Sequence, residues 1–165
     1  MSERRGAWLE IDLDAIEHNI GLIRGVVGEA AVAPVVKAEA YGHGMLAVSR
    51  AIEPFVDALC VATLDEASAL RPEVHSRILL LYPVPHAALP EAVRLGVELP
   101  VMSVADLRAI RAAAAAAEAA VRVHLGVETG MGRGGLPTDA VAEVAAEAQA
   151  DPAIELAGLW SHLHS

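Results

Sequence analysis

The chain alternates between short apolar runs and longer segments in which apolar positions recur every three or four residues. Residues 8–11 are strand-like. Asp12 can then cap a helix whose stripe is Leu13, Ile16, Ile20, Ile23 and Val27, the spacing of one helical face. From Val32 the pattern becomes regular. The runs at 32–38, 58–62, 78–82, 97–102, 121–127 and 154–162 read as buried strands. Helix-period segments separate them, with recognisable ends. One begins near Leu46 and stops at Pro54. Thr63-Leu-Asp-Glu66 is a capping-box signature whose helix ends before Pro72. Residues 89–95 form a short helix closed by Gly96, and Ser103 caps a helix running through the alanine-rich 112–117. A last helix spans 138–148 and ends at Asp151-Pro152.

Apolar strands separated by helices specify an α/β fold whose parallel sheet is covered on both faces. A doubly wound open sheet and a partial (β/α)8 barrel both satisfy this pattern. Typical barrels need about 250 residues, whereas 165 residues suit one compact domain with no internal boundary.

Composition narrows the function. Hydrophobic residues make up 55% of the chain and aromatics 3%, so the core is built from Ala, Val, Ile and Leu. Twenty-two acidic and twelve basic residues give a net charge of −10. No basic patch can replace phosphate counterions, which argues against a nucleic-acid partner but leaves room for a small anionic ligand at one locally basic site. No apolar run reaches the ~18 residues of a membrane span and no signal-peptide core opens the chain. Cys60, the sole cysteine, sits in an apolar run and reads as core. The expectation is a cytoplasmic protein without a membrane partner.

Against that background one residue stands out. Eleven of the twelve basic residues are arginine, and Lys37 is the only lysine. It lies at the C-terminal end of the first buried strand, the end that faces the active-site mouth in parallel α/β barrels. Partial desolvation there would make its amine a nucleophile of the Schiff-base kind. Tyr41-Gly-His-Gly44 follows, with glycines that allow close backbone approach and a tyrosine able to donate to an anion. A second segment, His124 to Leu136, contains Gly130, Gly132 and Gly135 in a G-x-G-x-x-G spacing, with Glu155 twenty residues on. A dinucleotide site is weighed on that spacing. It is opposed by the motif's late position, by Arg133 within the loop and by Glu155 at the start of its strand. A third segment places Trp160, His162 and His164 on one strand face. His-x-His could ligate zinc, but no other cluster has ligand spacing, and a ring-stacking or hydrogen-bonded histidine is the alternative.

Taken together these segments resemble the N-terminal part of the alanine racemases. The resemblance is carried by Trp8-Leu-Glu-Ile-Asp-Leu-Asp-Ala15 with Asn19, Val35-Val-Lys-Ala-Glu-Ala-Tyr-Gly-His-Gly44, Val61-Ala-Thr-Leu-Asp-Glu-Ala67, Glu128-Thr-Gly-Met-Gly-Arg133 and Gly158-Leu-Trp-Ser-His162. It runs collinearly over essentially the whole chain.

The resemblance implies a barrel of which residues 1–165 hold about six of the eight strands, with the family's C-terminal β domain absent. It also implies a pyridoxal-phosphate-dependent isomerase that interconverts L- and D-alanine for cell-wall synthesis, a small amino-acid substrate, and a homodimer in the full-length form. Lys37 would carry the cofactor and act as one base at the substrate α-carbon. Tyr41 would hydrogen-bond the phosphate. Arg133 would contact the cofactor's phenolic oxygen and the substrate carboxylate. His162 would lie against the pyridine ring, and no metal is implied. Two positions depart from the family: Gly126, where a lysine that helps place the arginine is common, and Glu39, where asparagine is usual. The alternatives within the class are a racemase of another amino acid and a barrel-only pyridoxal-phosphate-binding protein. From another class comes a non-catalytic remnant.

Overall fold

The computed structural model describes residues 8–163. Its elements follow in the order α1 (Leu13–Val27), α2 (Lys37–Gly42), α3 (Met45–Ile52), β1 (Ala58–Val61), α4 (Leu64–Leu70), β2 (Arg77–Leu80), α5 (Leu89–Leu95), β3 (Leu99–Val101), α6 (Val104–Ala117), β4 (Val121–Val127), α7 (Val141–Gln149) and β5 (Ile154–Ser161). The caps are those the side chains dictate. Asp12 accepts from the Ala15 amide, Ser103 from Asp106, and Thr63 and Glu66 complete both halves of a capping box. Pro54 and Pro72 fall in 3-10 turns that close α3 and α4.

Four expectations are corrected. Residues 8–11 form no strand, and Trp8 and Leu9 are exposed. The stretch 32–38 is not a full strand. It runs beside β1 but bridges it only at Val35–Cys60, because Pro34 has no amide to donate and the backbone turns away at Lys37. The stripe of α1 is only partly covered: Ile20 is buried, whereas Ile23 and Val27 are exposed. Finally, α7 begins at Val141, three residues later than 138.

Every strand pairing is parallel. β1 pairs with β2, and β3 with β4 and β4 with β5. The two ladders meet at the Leu79–Glu98 bridge, where Leu80 N–H donates to the Glu98 carbonyl and Glu98 N–H to that of Ile78. Each strand therefore lies beside its predecessor, starting from the 32–36 segment. A doubly wound sheet reverses its strand order at a switch point, and no such reversal occurs among the described residues.

Alternation divides the strands between two faces. Leu59, Val61, Ile78, Leu80, Leu99, Val101, Val123 and Leu125 are wholly buried. They share one core with Leu70 of α4, Ala92 of α5, Leu107 of α6 and Val144 of α7. The opposite face carries Cys60, Leu79, His124 and Gly126. Near the strand starts it also holds a polar layer. The Glu98 carboxylate, 2% exposed, accepts from Arg77 Nη2 at 2.8 Å and lies 2.6 Å from His124 Nε2. Arg122 Nε sits 3.0 Å from the same carboxylate and Nη1 3.1 Å from Glu155. The Nε contact is off the hydrogen-bond axis, so it is electrostatic only. Burial pushes the Glu98 carboxyl up, but donation from Arg77 and His124 and their charge outweigh it and hold the group at about 2.

Candidate active site

Lys37 opens a turn of unusual hand. Ala38, Glu39, Ala40 and Tyr41 all have φ between 50° and 56°, four successive non-glycine residues in the left-handed region. Each costs about 1–2 kcal/mol relative to the right-handed form, so the surroundings must hold the turn. Val36 N–H donates to the Cys60 carbonyl and ties the approach to β1. Ala38 N–H donates to Glu66 Oε1 at 2.8 Å. At the far end, Glu39 Oε2 accepts from Met45 N–H at 3.1 Å, so this carboxylate serves the start of α3.

The turn delivers Lys37 and Tyr41 to a cavity of about 520 Å³ beyond the C-terminal ends of the strands, within the usual range for small-molecule sites. Arg133 and His162 line the same cavity. Four residues singled out from three separate segments of the sequence thus converge on one space. Its floor is Val35, Cys60 and Leu79. Burial first, then the Glu98 charge, pushes the Cys60 thiol up to about 11, so it is a neutral wall and no nucleophile near pH 7. Among the described residues neither Lys37 nor Arg133 forms a salt bridge. Two unpaired cations in one cavity make the locally basic site that the acidic composition left open.

The glycine-rich loop is already filled from within. The Glu128 carboxylate accepts from the amides of Gly130 and Arg133 at 2.5 and 3.1 Å. Donation from Gly132 and Gly130 foremost holds its carboxyl below the ordinary range. Amides that would cradle a dinucleotide's phosphates are therefore occupied by the chain's own carboxylate, which removes the G-x-G-x-x-G reading. Leu136 N–H returns to the Gly126 carbonyl at 2.7 Å, folding the loop back so that Arg133 overlooks the cavity. At Gly126 the space of a side chain is taken by the Met102 thioether, with the Trp160 ring close by. For the zinc reading, His164 lies outside the described residues, and no group of three or more metal-binding side chains occurs among those described.

Two further residues belong to the site, and pattern reading did not find them. The Tyr82 ring centroid lies 5.5 Å from Lys37 Nζ, a cation–π distance. Its position just past β2, at the same sheet end as Lys37, was the available signal. Glu66 is visible in the sequence only as a helix cap.

The sequence model of the family described as Alanine racemase, N-terminal domain, matches residues 11–165. Alanine racemase of Beutenbergia cavernae is 42% identical over 160 residues, covering 94% of this chain and 42% of the relative. That of Salinispora tropica is 41% identical over 162 residues, covering 94% and 43%. Among solved structures, alanine racemase from the D-cycloserine producer Streptomyces lavendulae superposes with a TM-score of 0.84 at 35% identity, covering 93% of this chain and 41% of that one. The Clostridium difficile 630 enzyme gives 0.88 at 29%, covering 96% and 42%. The chain spans less than half the length of these relatives. A lysine-bearing turn, a Thr-Gly-Met loop and a histidine strand that meet in one cavity agree with the sequence match over nearly the whole chain: it belongs to the alanine racemase N-terminal domain family.

Proposed function

We propose that this chain is the cofactor-carrying portion of a pyridoxal-phosphate-dependent alanine racemase, and that its sheet is part of a (β/α)8 barrel. The sequential, all-parallel strand order supports the barrel, since that is the order a closed barrel requires. The observation that carries the cofactor reading is the meeting of Lys37, the only lysine, with unpaired Arg133 in one apolar-floored cavity. A primary amine, a guanidinium, a phenol and an imidazole around that floor fit an aromatic aldehyde bearing a phosphate.

In this reading Lys37 Nζ would hold the cofactor covalently, Tyr41 would donate its hydroxyl to the phosphate, and Arg133 and His162 would serve its ring. When bound, the cofactor supplies an electron sink that acidifies the substrate's α-proton. Once the substrate's own amine displaced it from the cofactor, Lys37 Nζ would be free to take or return that proton on one face of the α-carbon. Arg133 suits the planar carboxylate of an amino acid better than a lysine would, because its fork of donors matches two oxygens. Racemisation also needs a group acting on the opposite face, and the reading assigns it to a part of the full-length protein outside this chain. The same reading places the protein in the cytoplasm as a homodimer supplying D-alanine for the cell wall.

The test is covalent. The purified protein is incubated with pyridoxal phosphate, reduced with borohydride and mapped by mass spectrometry. The expected product is a fixed adduct at Lys37, the only lysine, in excess over labelling of the α-amino group; it is abolished at that position in Lys37→Arg and weakened in Arg133→Ala. Failure to label Lys37 sinks the cofactor reading.

A further inference from the structure

We propose that Glu66 is a positioning residue for Lys37: its carboxylate pins the left-handed turn to the end of β1 and so aims the lysine amine into the cavity. The proposal deepens the reading of Lys37 as the cofactor-bearing residue and rests on it.

A capping box requires only that Glu66 reach the Thr63 amide, which it does at 3.2 Å. Its carboxylate does more. The same Oε2 accepts from Ala62 N–H at 2.7 Å, while Oε1 accepts from Ala38 N–H at 2.8 Å. One side chain thus ties the residue after Lys37 to the two residues that leave β1. The turn cannot hold its hand by local preference, since Ala38, Glu39, Ala40 and Tyr41 are all left-handed and none is glycine. Its far end is secured from within the neighbouring sequence, by Glu39 on Met45 and by Gly44 N–H on the Glu39 carbonyl. At its near end Glu66 is the side chain from another element that grips it. The carboxylate form matters because all three partners are donors, and only two acceptor oxygens can serve both sides at once. A glutamine has one acceptor oxygen and must release either Ala38 or the β1 end, turning an NH2 group against an N–H.

Three variants separate this from helix capping. Glu66→Gln keeps its one acceptor oxygen where it serves two amides, Ala62 and Thr63, and so gives up the single bond to Ala38. Glu66→Asp keeps the charge but lacks one methylene of reach. Thr63→Ala removes the hydroxyl that caps α4 and leaves both Glu66 oxygens in place. Two measurements are made. One is amide hydrogen exchange across residues 38–42 without cofactor. The other is the rate of borohydride-fixed pyridoxal phosphate labelling at Lys37, with the chain's α-amino group as internal standard.

The expected result is exchange about tenfold faster or more in Glu66→Gln, from the loss of one charge-assisted hydrogen bond, with slower labelling at Lys37 and unchanged labelling of the standard. Thr63→Ala should stay near wild type in both. Should Glu66→Gln not fold, Glu66→Asp is judged by the same criteria. Unchanged exchange over 38–42 overturns the proposal, as does a Thr63→Ala effect equal to that of the Glu66 variant. If wild-type Lys37 takes no label at all, the cofactor reading fails, and the exchange comparison still decides whether Glu66 holds the turn.

Discussion

At the scale of the residue, the site depends on backbone positions that tolerate little else. Gly135 has φ +133°, and a Cβ there would sit 2.7 Å from the Glu128 amide nitrogen and 3.0 Å from the Val127 carbonyl carbon. Both are backbone atoms that cannot step aside. Gly135→Ala should therefore cost about 2–4 kcal/mol, the sum of a disfavoured φ and an overpacked contact. Gly134→Ala, with φ +100° and open space, should cost about 1–2 kcal/mol. Urea midpoints of the two variants check the order. Gly126 differs in kind, because the obstacle is the flexible end of Met102. Gly126→Ala should cost about 1 kcal/mol by forcing a new Met102 rotamer, and Met102→Ala in the same background should remove that penalty. A double-mutant cycle reads the coupling. Lys37, Tyr41, Arg133 and His162 were all legible as residues because each sits in a distinctive local motif. Tyr82 and the second duty of Glu66 were not, since each is defined by a partner distant in sequence.

At the scale of the element, helices were read more closely than strands. Residues 89–95 match α5 end to end, and the capping residues of α1, α4 and α6 all fulfil their role. Their signals are hydrogen bonds three or four residues apart, so they are written locally. The stretch 32–38 misled because its apolar composition suits a strand, whereas Pro34 and the left-handed turn decide its path. The join between β2 and β3 shows what composition cannot foretell. Only one backbone bridge connects them, and the Glu98 carboxylate adds side-chain ties to Arg77 on β2 and His124 on β4. Its carboxyl is held at about 2, below the ordinary 4.5. A depressed carboxyl contributes stability that is complete above its unfolded value and lost as pH falls toward its folded one. Stability should accordingly drop between about pH 5 and pH 2, by on the order of 3 kcal/mol from this group. Denaturation at stepped pH should show a shallower acid loss in Glu98→Gln, which should also be less stable near pH 7 because Arg77 loses its charged partner.

At the scale of the whole molecule, β5 pairs with β4 on one side, and among the described residues its other edge is unpaired. Leu159 on that strand is 60% exposed. An apolar open edge is a template for association. The 165-residue chain should therefore self-associate with rising concentration, and Leu159→Lys should reduce that association in sedimentation velocity. The sequence alone determined the α/β alternation and the helix caps, because hydrophobic period and capping act over a few residues, and its resemblance to a family singled out Lys37, Tyr41, Arg133 and His162. Only the tertiary structure decided that the strands run in chain order, that Glu128 fills its own loop, that a left-handed turn carries Lys37, and that Lys37 and Arg133 share a cavity with no salt bridge to either among the described residues. Those outcomes rest on contacts between segments far apart in the chain, where burial, charge and backbone strain are balanced together and no local pattern records the result.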